Sequence, residues 1–156
     1  MRHAPPNYKC PFCRIARNDF DSDIATEPVD IVLQNRWVTA FVTSHQWPNN
    51  KGHVLVIPNE HYENLYSLPS RYAEPLHEAI KTIASALKVA FNCPGTSTRQ
   101  HNEPAGGQDV WHFHQHVFPR YEADHLYGST RQRISPTERS EQSSLITRAL
   151  NELQRI

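Results

Sequence analysis

Three histidines alternate with other residues between positions 110 and 120, in the segment Val-Trp-His-Phe-His-Gln-His-Val-Phe-Pro-Arg. This alternation has the period of a β-strand, so it predicts that His112, His114 and His116 project from one face. At about 3.3 Å per residue the outer two lie about 13 Å apart, too far to share one metal ion. The row therefore predicts several functions: a metal at one end, a nucleophile in the middle and a charge stabiliser beyond it. A chance run or a metal-scavenging surface strip is the less favoured interpretation, because a glycine-rich turn precedes the segment.

Composition narrows the class of protein. The 156 residues suffice for one domain with a proper core. Lys and Arg number 16 and so do Asp and Glu, so we expect no nucleic-acid surface. The sequence contains no apolar run near membrane-spanning length and no secretory signal pattern, so we expect a cytoplasmic protein without membrane attachment.

Hydrophobic periodicity predicts an α+β fold with an antiparallel sheet. The predicted strands cover residues 29–34, 37–42, 52–58, 96–102 and the histidine segment. One long helix is predicted over residues 71–91, and Ser135-Pro136-Thr137-Glu138 is typical of the start of another. Residues 10–19 predict a turn and a short helix, residues 43–51 a loop, and residues 61–65 a helical turn. Residues 1–9 carry no periodic pattern and are expected to form a loose arm.

A glycine-rich turn precedes the histidine row. Gly106-Gly107-Gln108 lets backbone N–H groups approach an anion closely, and Gln108 and Asn102 can add uncharged hydrogen bonds. A phosphate held there would meet His114, which could attack phosphorus and form a covalent phospho-imidazole intermediate. Two adjacent glycines are also typical of an ordinary hairpin turn, so this turn alone does not establish a phosphate site.

Cys10 and Cys13 have the spacing of a zinc-binding thiol pair. Two further ligands must come from elsewhere in the chain, and His61 and His112 are the candidates. Reduced buried thiols and a redox pair are the alternatives. A thioredoxin-like pair should follow a strand, and no strand is predicted before Cys10.

These motifs together resemble the histidine triad (HIT) superfamily. Residues 112–118 match His-x-His-x-His-x-x, except that Gln115 stands at an apolar position. Residues 51–61 are similar to the family's Gly-His-x-Leu-Val-Ile-Pro-x-x-His segment, and Asn102 with residues 106–108 is similar to the segment before the triad. The resemblance covers residues 10–128 as the HIT domain, which leaves residues 129–156 as a C-terminal extension, expected to be helical.

The resemblance implies an antiparallel sheet of five to six strands, one long helix, short flanking helices and a dimer with a continuous sheet. It also implies a nucleotide hydrolase or transferase that acts at the α-phosphate of a nucleoside phosphoramidate or a dinucleoside polyphosphate. His114 would be the nucleotidylated nucleophile, with His116 and His53 assisting at the phosphate. His112 completes the triad.

The resemblance assigns further residues to substrate and metal. The implied substrate-binding residues are Asn102, Gly107, Gln108 and Thr43. Family members with Cys-x-x-Cys imply a structural zinc, whose ligands here would be Cys10, Cys13, His61 and His112.

Two positions depart from the family pattern. Thr43 stands where the family commonly has an Asp that binds the ribose hydroxyls, and Asp109 stands where a Ser commonly contacts phosphate. A carboxylate at position 109 would repel a polyphosphate unless it is protonated or turned away. These departures keep two alternatives open: a nucleotide-binding module with little catalysis, and a phosphorylase that uses phosphate instead of water. A zinc hydrolase is disfavoured, because two Cys and two His would close the metal site.

Overall fold

The computed structural model of the protein describes residues 3–21 and 23–155. The helices are α1 (Pro11–Ala16), α2 (Ala73–Phe91) and α3 (Pro136–Leu153). The strands are β1 (Ile31–Gln34), β2 (Val38–Val42), β3 (His45–Gln46), β4 (Val54–Pro58), β5 (Gly95–Gln100), β6 (Gln115–Arg120) and β7 (Gln132–Arg133). No helix in this described part of the chain has the length and apolar character needed to cross a membrane.

Five strands form one antiparallel sheet in the order β1-β2-β4-β6-β5, which confirms the predicted α+β class. Strands β2 and β4 are buried along their whole length, as the apolar run of β4 predicts. One face of the sheet packs against α2 and α3 through Val38, Ala40, Val54, Val56 and Val117. The other face packs against α1, and this second core contains Phe12, Ile15, Phe41, Leu55 and Ile57. Each fully buried Val, Leu, Ile or Phe side chain in these cores contributes about 1.5–3 kcal/mol to stability.

The histidine segment is less regular than its alternation predicts. Strand pairing begins only at β6, so the prediction of a strand is wrong for residues 110–114. The backbone N–H of Phe113 donates instead to the carbonyl of Tyr62, at 2.6 Å. The alternation of faces nevertheless persists, because the Phe113 side chain joins the core beneath the helices whereas His114 contacts Phe12 on the opposite face.

Two other local predictions need correction. The segment 43–51, predicted as a loop, contains β3, which pairs with β7 from the C-terminal extension. The helical turn predicted at 61–65 forms at Leu65–Ser67 instead. A two-residue strand has no periodicity of its own, and it forms here only because a distant segment offers backbone partners.

The C-terminal extension is fastened to the sheet by buried polar contacts. Helix α3 starts as predicted, with the Ser135 hydroxyl accepting from the Glu138 N–H in a capping box. Along α3, Arg139 forms a buried ion pair of 2.8 Å with Asp30. The Gln142 side-chain oxygen accepts the backbone N–H of Gly52 at 3.0 Å, directly before β4. The extension therefore supports the start of β4, the strand next to the histidines.

Candidate active site and metal cluster

His114 lies at the centre of the site, with only 2% of its surface exposed. Its Nδ1 lies 2.8 Å from the carbonyl oxygen of His112, so Nδ1 carries the proton and donates it to that bond. The other ring nitrogen, Nε2, is therefore unprotonated and carries a free lone pair. His114 lines the cavity described below, and its Nε2 lies 3.8 Å from the carboxylate of Asp109, another residue of the cavity wall.

His53 and His116 form a second buried pair. Their Nε2 and Nδ1 atoms lie 2.9 Å apart, and His53 Nδ1 lies 3.3 Å from the carbonyl of His45. One chain of donors satisfies both distances: His116 donates to His53, and His53 donates to the carbonyl. Burial lowers the pKa of His53 to about 3 and also lowers the pKa of His116, so both imidazoles are neutral at pH 7.

A cavity of about 480 Å³ opens beside these histidines. Its size lies within the range of small-molecule binding sites. Apolar and hydroxyl-bearing side chains share its wall, which is lined by Phe12, Thr26, Phe41, Thr43, Ser44, His45, His53, Leu55, Asp109, Val110, His114, His116, Thr130 and Arg131. An apolar wall with hydroxyl groups suits a base and a sugar, with the imidazoles at one end.

Asp109 and Arg131 lie at the mouth of the cavity. The Asp109 carboxylate is 3.3 Å from the Arg131 guanidinium and 3.8 Å from Nε2 of His114. The carboxylate is thus paired with a cation and more than half exposed, which reduces the repulsion of a substrate that the sequence predicts. Arg131 belongs to the C-terminal extension, and no local pattern in the sequence indicates that it reaches the site.

The predicted substrate-binding residues separate into two groups. Thr43 lines the 480 Å³ cavity, where its hydroxyl donates to the carbonyl of His45 at 2.7 Å. Gly107 has a φ of 82°, in the left-handed region that favours glycine, and lines a neighbouring smaller cavity.

The side chains of Asn102 and Gln108 are engaged elsewhere. Asn102 accepts the backbone N–H of Leu65 at 2.8 Å. Gln108 accepts the N–H of Glu103 and donates to two backbone carbonyls. Neither side chain lines either cavity beside the triad. In this structure both fix the backbone before the triad, and a direct phosphate contact would require these bonds to break.

The four predicted metal ligands lie together. The ligand atoms of Cys10, Cys13, His61 and His112 are all within 4.8 Å of one another. His112 Nδ1 is 3.4 Å from the Cys10 sulfur, and His61 Nδ1 is 3.2 Å from the Cys13 sulfur. Four ligands around a tetrahedral zinc ion stand about 3.4–3.8 Å apart.

Further hydrogen bonds of the four ligands favour the binding of a cation by this cluster. His112 Nε2 donates to the carbonyl of Pro58 at 2.9 Å, which turns its unprotonated Nδ1 towards the thiols. The hydrogen bond from Cys13 lowers the pKa of the Cys10 thiol. His112 therefore faces the metal cluster rather than the nucleotide-sized cavity, although the sequence also counts it with the catalytic triad.

A broad depression lies next to the metal cluster. It measures about 880 Å³ and is lined by residues of the N-terminal arm and α1, together with His61. None of the imidazoles of the triad borders it. The 480 Å³ cavity is therefore the candidate active site, because His114 lines it and does not line the 880 Å³ depression.

The chain matches the model of the HIT domain family over residues 25–123, more than half of its length. It is 36% identical over 112 residues to the protein "hit" of Bacillus subtilis, a match that covers 72% of this chain and 71% of that protein. It is 27% identical over 120 residues to the adenylylsulfatase HINT3 of Arabidopsis thaliana, covering 77% of this chain and 56% of the relative.

A similar solved structure is that of a zinc-bound histidine triad family protein from Mycobacterium smegmatis. The two folds agree with a TM-score of 0.77 and 26% sequence identity, over 94% of this chain and 96% of the other. The fold, the histidine triad and the thiol–imidazole cluster all match what the resemblance to this family implies, and the sequence and fold similarities point to the same family. This chain belongs to the HIT family.

Proposed function

We propose that this protein is a nucleotide hydrolase or transferase that acts at the α-phosphate through a nucleotidyl intermediate on His114. The observation that carries the proposal is the hydrogen bond from His114 Nδ1 to the His112 carbonyl, which leaves Nε2 unprotonated beside the 480 Å³ cavity. A fixed tautomer makes this imidazole a nucleophile without the loss of a proton. The substrate class is a nucleoside phosphoramidate or a dinucleoside polyphosphate.

The reaction has two steps. Nε2 of His114 forms a bond to phosphorus, and the bond from phosphorus to the leaving group breaks. A water oxygen then adds to phosphorus and loses a proton to solvent, while the phosphorus–nitrogen bond breaks and its electron pair returns to Nε2. Charge that develops on the phosphoryl oxygens lies near the guanidinium of Arg131, the cation placed to stabilise it.

Three kinds of contact support substrate binding. Phe12, Phe41 and Leu55 line the cavity and would offer apolar contacts to a base, and Thr43 on the same wall would contact the ribose. Thr43 carries no charge, so it binds the ribose hydroxyls more weakly than a carboxylate would. The Gly107 turn, fixed by Asn102 and Gln108, stays a proposed contact for the phosphate.

We assign zinc to the cluster of Cys10, Cys13, His61 and His112. Two thiolates and two imidazoles form a closed tetrahedral set, which is typical of a structural zinc site rather than a catalytic one. The ion would tie α1 to the end of β4 and to the start of the histidine segment. Its role would thus be to fix the backbone of His112, to which His114 donates.

Homodimer formation and a cytoplasmic location stay predictions. Strand β5 lies at one edge of the five-stranded sheet, so a second copy could extend the sheet there. Size-exclusion chromatography with light scattering tests the dimer, and cell fractionation tests the location.

A nucleotide-binding module with little catalysis is the second candidate, favoured by Asp109 at 3.8 Å from the nucleophile. Turnover assays with adenosine phosphoramidate and diadenosine triphosphate separate the candidates. We expect His114→Ala to abolish turnover while the control His77→Ala, an exposed position on α2, keeps it. Full activity of His114→Ala would remove the mechanism, and binding without turnover in the wild type would favour the module. Assays in phosphate buffer reveal a phosphorylase as a nucleoside diphosphate product.

A further inference from the structure

A second cavity of about 190 Å³ adjoins the first, and the two share Asp109, His116 and Arg131. It is lined by Trp47, Arg99, His101, Gly107, Asp109, His116 and Arg131. Its volume equals that of roughly six water molecules at about 30 Å³ each, enough for one or two phosphate-sized groups. A group bound there lies next to the histidines but beyond the space suited to a nucleoside.

The guanidinium groups of Arg99 and Arg131 line this second cavity. Arg99 stands directly opposite His116 in the pairing of β5 with β6, so the two side chains share one face of the sheet. Its guanidinium carbon lies 5.2 Å from the Trp47 ring centroid, and that of Arg131 lies 5.7 Å from the same ring. The indole therefore holds both cations beside the cavity.

The Arg99 donors are available to a ligand. Within residues 3–21 and 23–155, no carboxylate lies at salt-bridge distance from Arg99 and its guanidinium makes no hydrogen bond. Stacking on aromatic rings occupies the face of a guanidinium and leaves its N–H edges free to bind an anion. A phosphate or sulfate group could accept from two of these donors at once.

Asp109 shows where an oxyanion fits. One of its carboxylate oxygens lies 3.8 Å from Nε2 of His114, and the other lies 3.3 Å from Arg131. A negatively charged oxygen group therefore already spans the distance between the nucleophile and a guanidinium. Because this carboxylate is 56% exposed, it can turn into solvent when a substrate oxyanion takes its place.

We propose that Arg99 and Arg131 form an anionic leaving-group site, so that the substrate is a nucleoside phosphoric anhydride rather than a phosphoramidate. This inference rests on the proposed attack by His114. As the bond from phosphorus to the bridging oxygen breaks, that oxygen takes the electron pair and departs as a phosphate-type or sulfate-type oxyanion between the two guanidiniums.

The protonation of the imidazoles in the site favours an oxyanion over an amine as the leaving group. An amine must gain a proton as it departs from phosphorus, whereas a phosphate or sulfate oxyanion departs without one. His53 donates from Nδ1 and accepts at Nε2, so it is uncharged, and His116 donates from Nδ1 while burial lowers its pKa, so neither ring is a cation with a proton to give. Arginine does not act as an acid near neutral pH either.

The test compares kcat/KM for two anhydrides, diadenosine triphosphate and adenylyl sulfate, with kcat/KM for adenosine phosphoramidate. We expect Arg99→Gln and Arg131→Gln each to lower the anhydride values about tenfold to hundredfold, because each removes charge-assisted hydrogen bonds. The phosphoramidate value should change less than about threefold in Arg99→Gln, and in Arg131→Gln, which also lies near the phosphoryl oxygens, it should fall less than the anhydride values do. The better anhydride shows whether the leaving group is a sulfate or a nucleotide phosphate.

Arg133→Gln is the matched control, since this exposed arginine of β7 lines neither cavity, and it should leave all three values unchanged. Equal losses for both substrate classes, or no loss for the anhydrides, would overturn the leaving-group site. Inorganic pyrophosphate binding, measured by calorimetry, separates this site from the proposed chemistry. If the wild type shows no turnover, pyrophosphate binding that weakens at least tenfold in Arg99→Gln/Arg131→Gln still supports the site. Equal binding by wild type and double variant contradicts it.

Discussion

The buried ion pair between Arg139 and Asp30 allows a quantitative prediction for Arg139→Met. Arg139 is 1% exposed and Asp30 is 0% exposed, and their Nε and Oδ2 atoms lie 2.8 Å apart. Arg139 also donates to the carbonyl of Ala25 at 2.7 Å. Burial raises the pKa of Asp30 even with the guanidinium present, so the carboxylate depends on this single cation. In Arg139→Met, a buried charge would be left without a counterion.

The cost follows from the protonation of Asp30. Without its partner, the cheapest response of the buried carboxyl is to take up a proton, and an aspartate has an unfolded pKa of about 3.9. Protonation at pH 7 spans about three pKa units, which at 1.36 kcal/mol each amounts to about 4 kcal/mol. At pH 5 the same step costs about 1.5 kcal/mol. A raised folded pKa gives stability that is lost as pH rises, so the variant should be worst at the higher pH.

Urea unfolding of wild type and Arg139→Met at pH 7 and pH 5 measures both values. The double variant Asp30→Asn/Arg139→Met should recover most of the loss at pH 7, because no charge is left buried. Arg148→Met, at an exposed position on the same helix, is the control for helix propensity. A loss below about 1 kcal/mol, or an equal loss at the two pH values, would refute the reasoning.

Three further predictions test other parts of the account. The purified protein should carry one zinc ion per chain. Cys13→Ser should lose the ion and unfold at a temperature at least about 10 °C lower, whereas Cys93→Ala should keep the ion. Atomic absorption measures the zinc content, and thermal melting measures the loss of stability. Gly52 has a φ of 94° and an added Cβ would lie 2.3 Å from the Phe91 ring, so Gly52→Ala should cost at least about 1 kcal/mol in urea unfolding, whereas Gly95→Ala, at an open position, should cost less. Hydrogen bonding to Arg120 holds the pKa of Asp124 well below its usual range, so its contribution exists above the unfolded pKa of about 3.9 and is lost as pH falls. The stability difference between wild type and Asp124→Asn should therefore shrink below about pH 4, and a constant difference would contradict that assignment.

Local patterns in the sequence predict much of the fold. The apolar run of β4, the stripe of α2 and the Ser135 capping box each concern neighbouring residues, and each forms as predicted. The four metal ligands are also placed together as predicted, since the thiol pair is local and the two histidines flank adjacent strands.

The remaining features depend on contacts between distant segments. Arg131 reaches the site only because β7 pairs with β3, and Arg99 does so through its register opposite His116. Neither residue carries a motif, although Arg99 lies within the segment 96–102 that is predicted as a strand. The engagement of Asn102 and Gln108 by backbone groups is likewise set by tertiary packing, and no spacing in the sequence indicates it.

The most direct measurement is the intact mass of the protein after rapid quenching, without acid, of reactions with diadenosine triphosphate and with adenosine phosphoramidate. A phosphorus–nitrogen bond to His114 predicts an adduct with the mass of one adenylyl group in wild type and in His77→Ala, and no adduct in His114→Ala. An adduct that persists in His114→Ala, or turnover without any adduct, would contradict the covalent mechanism.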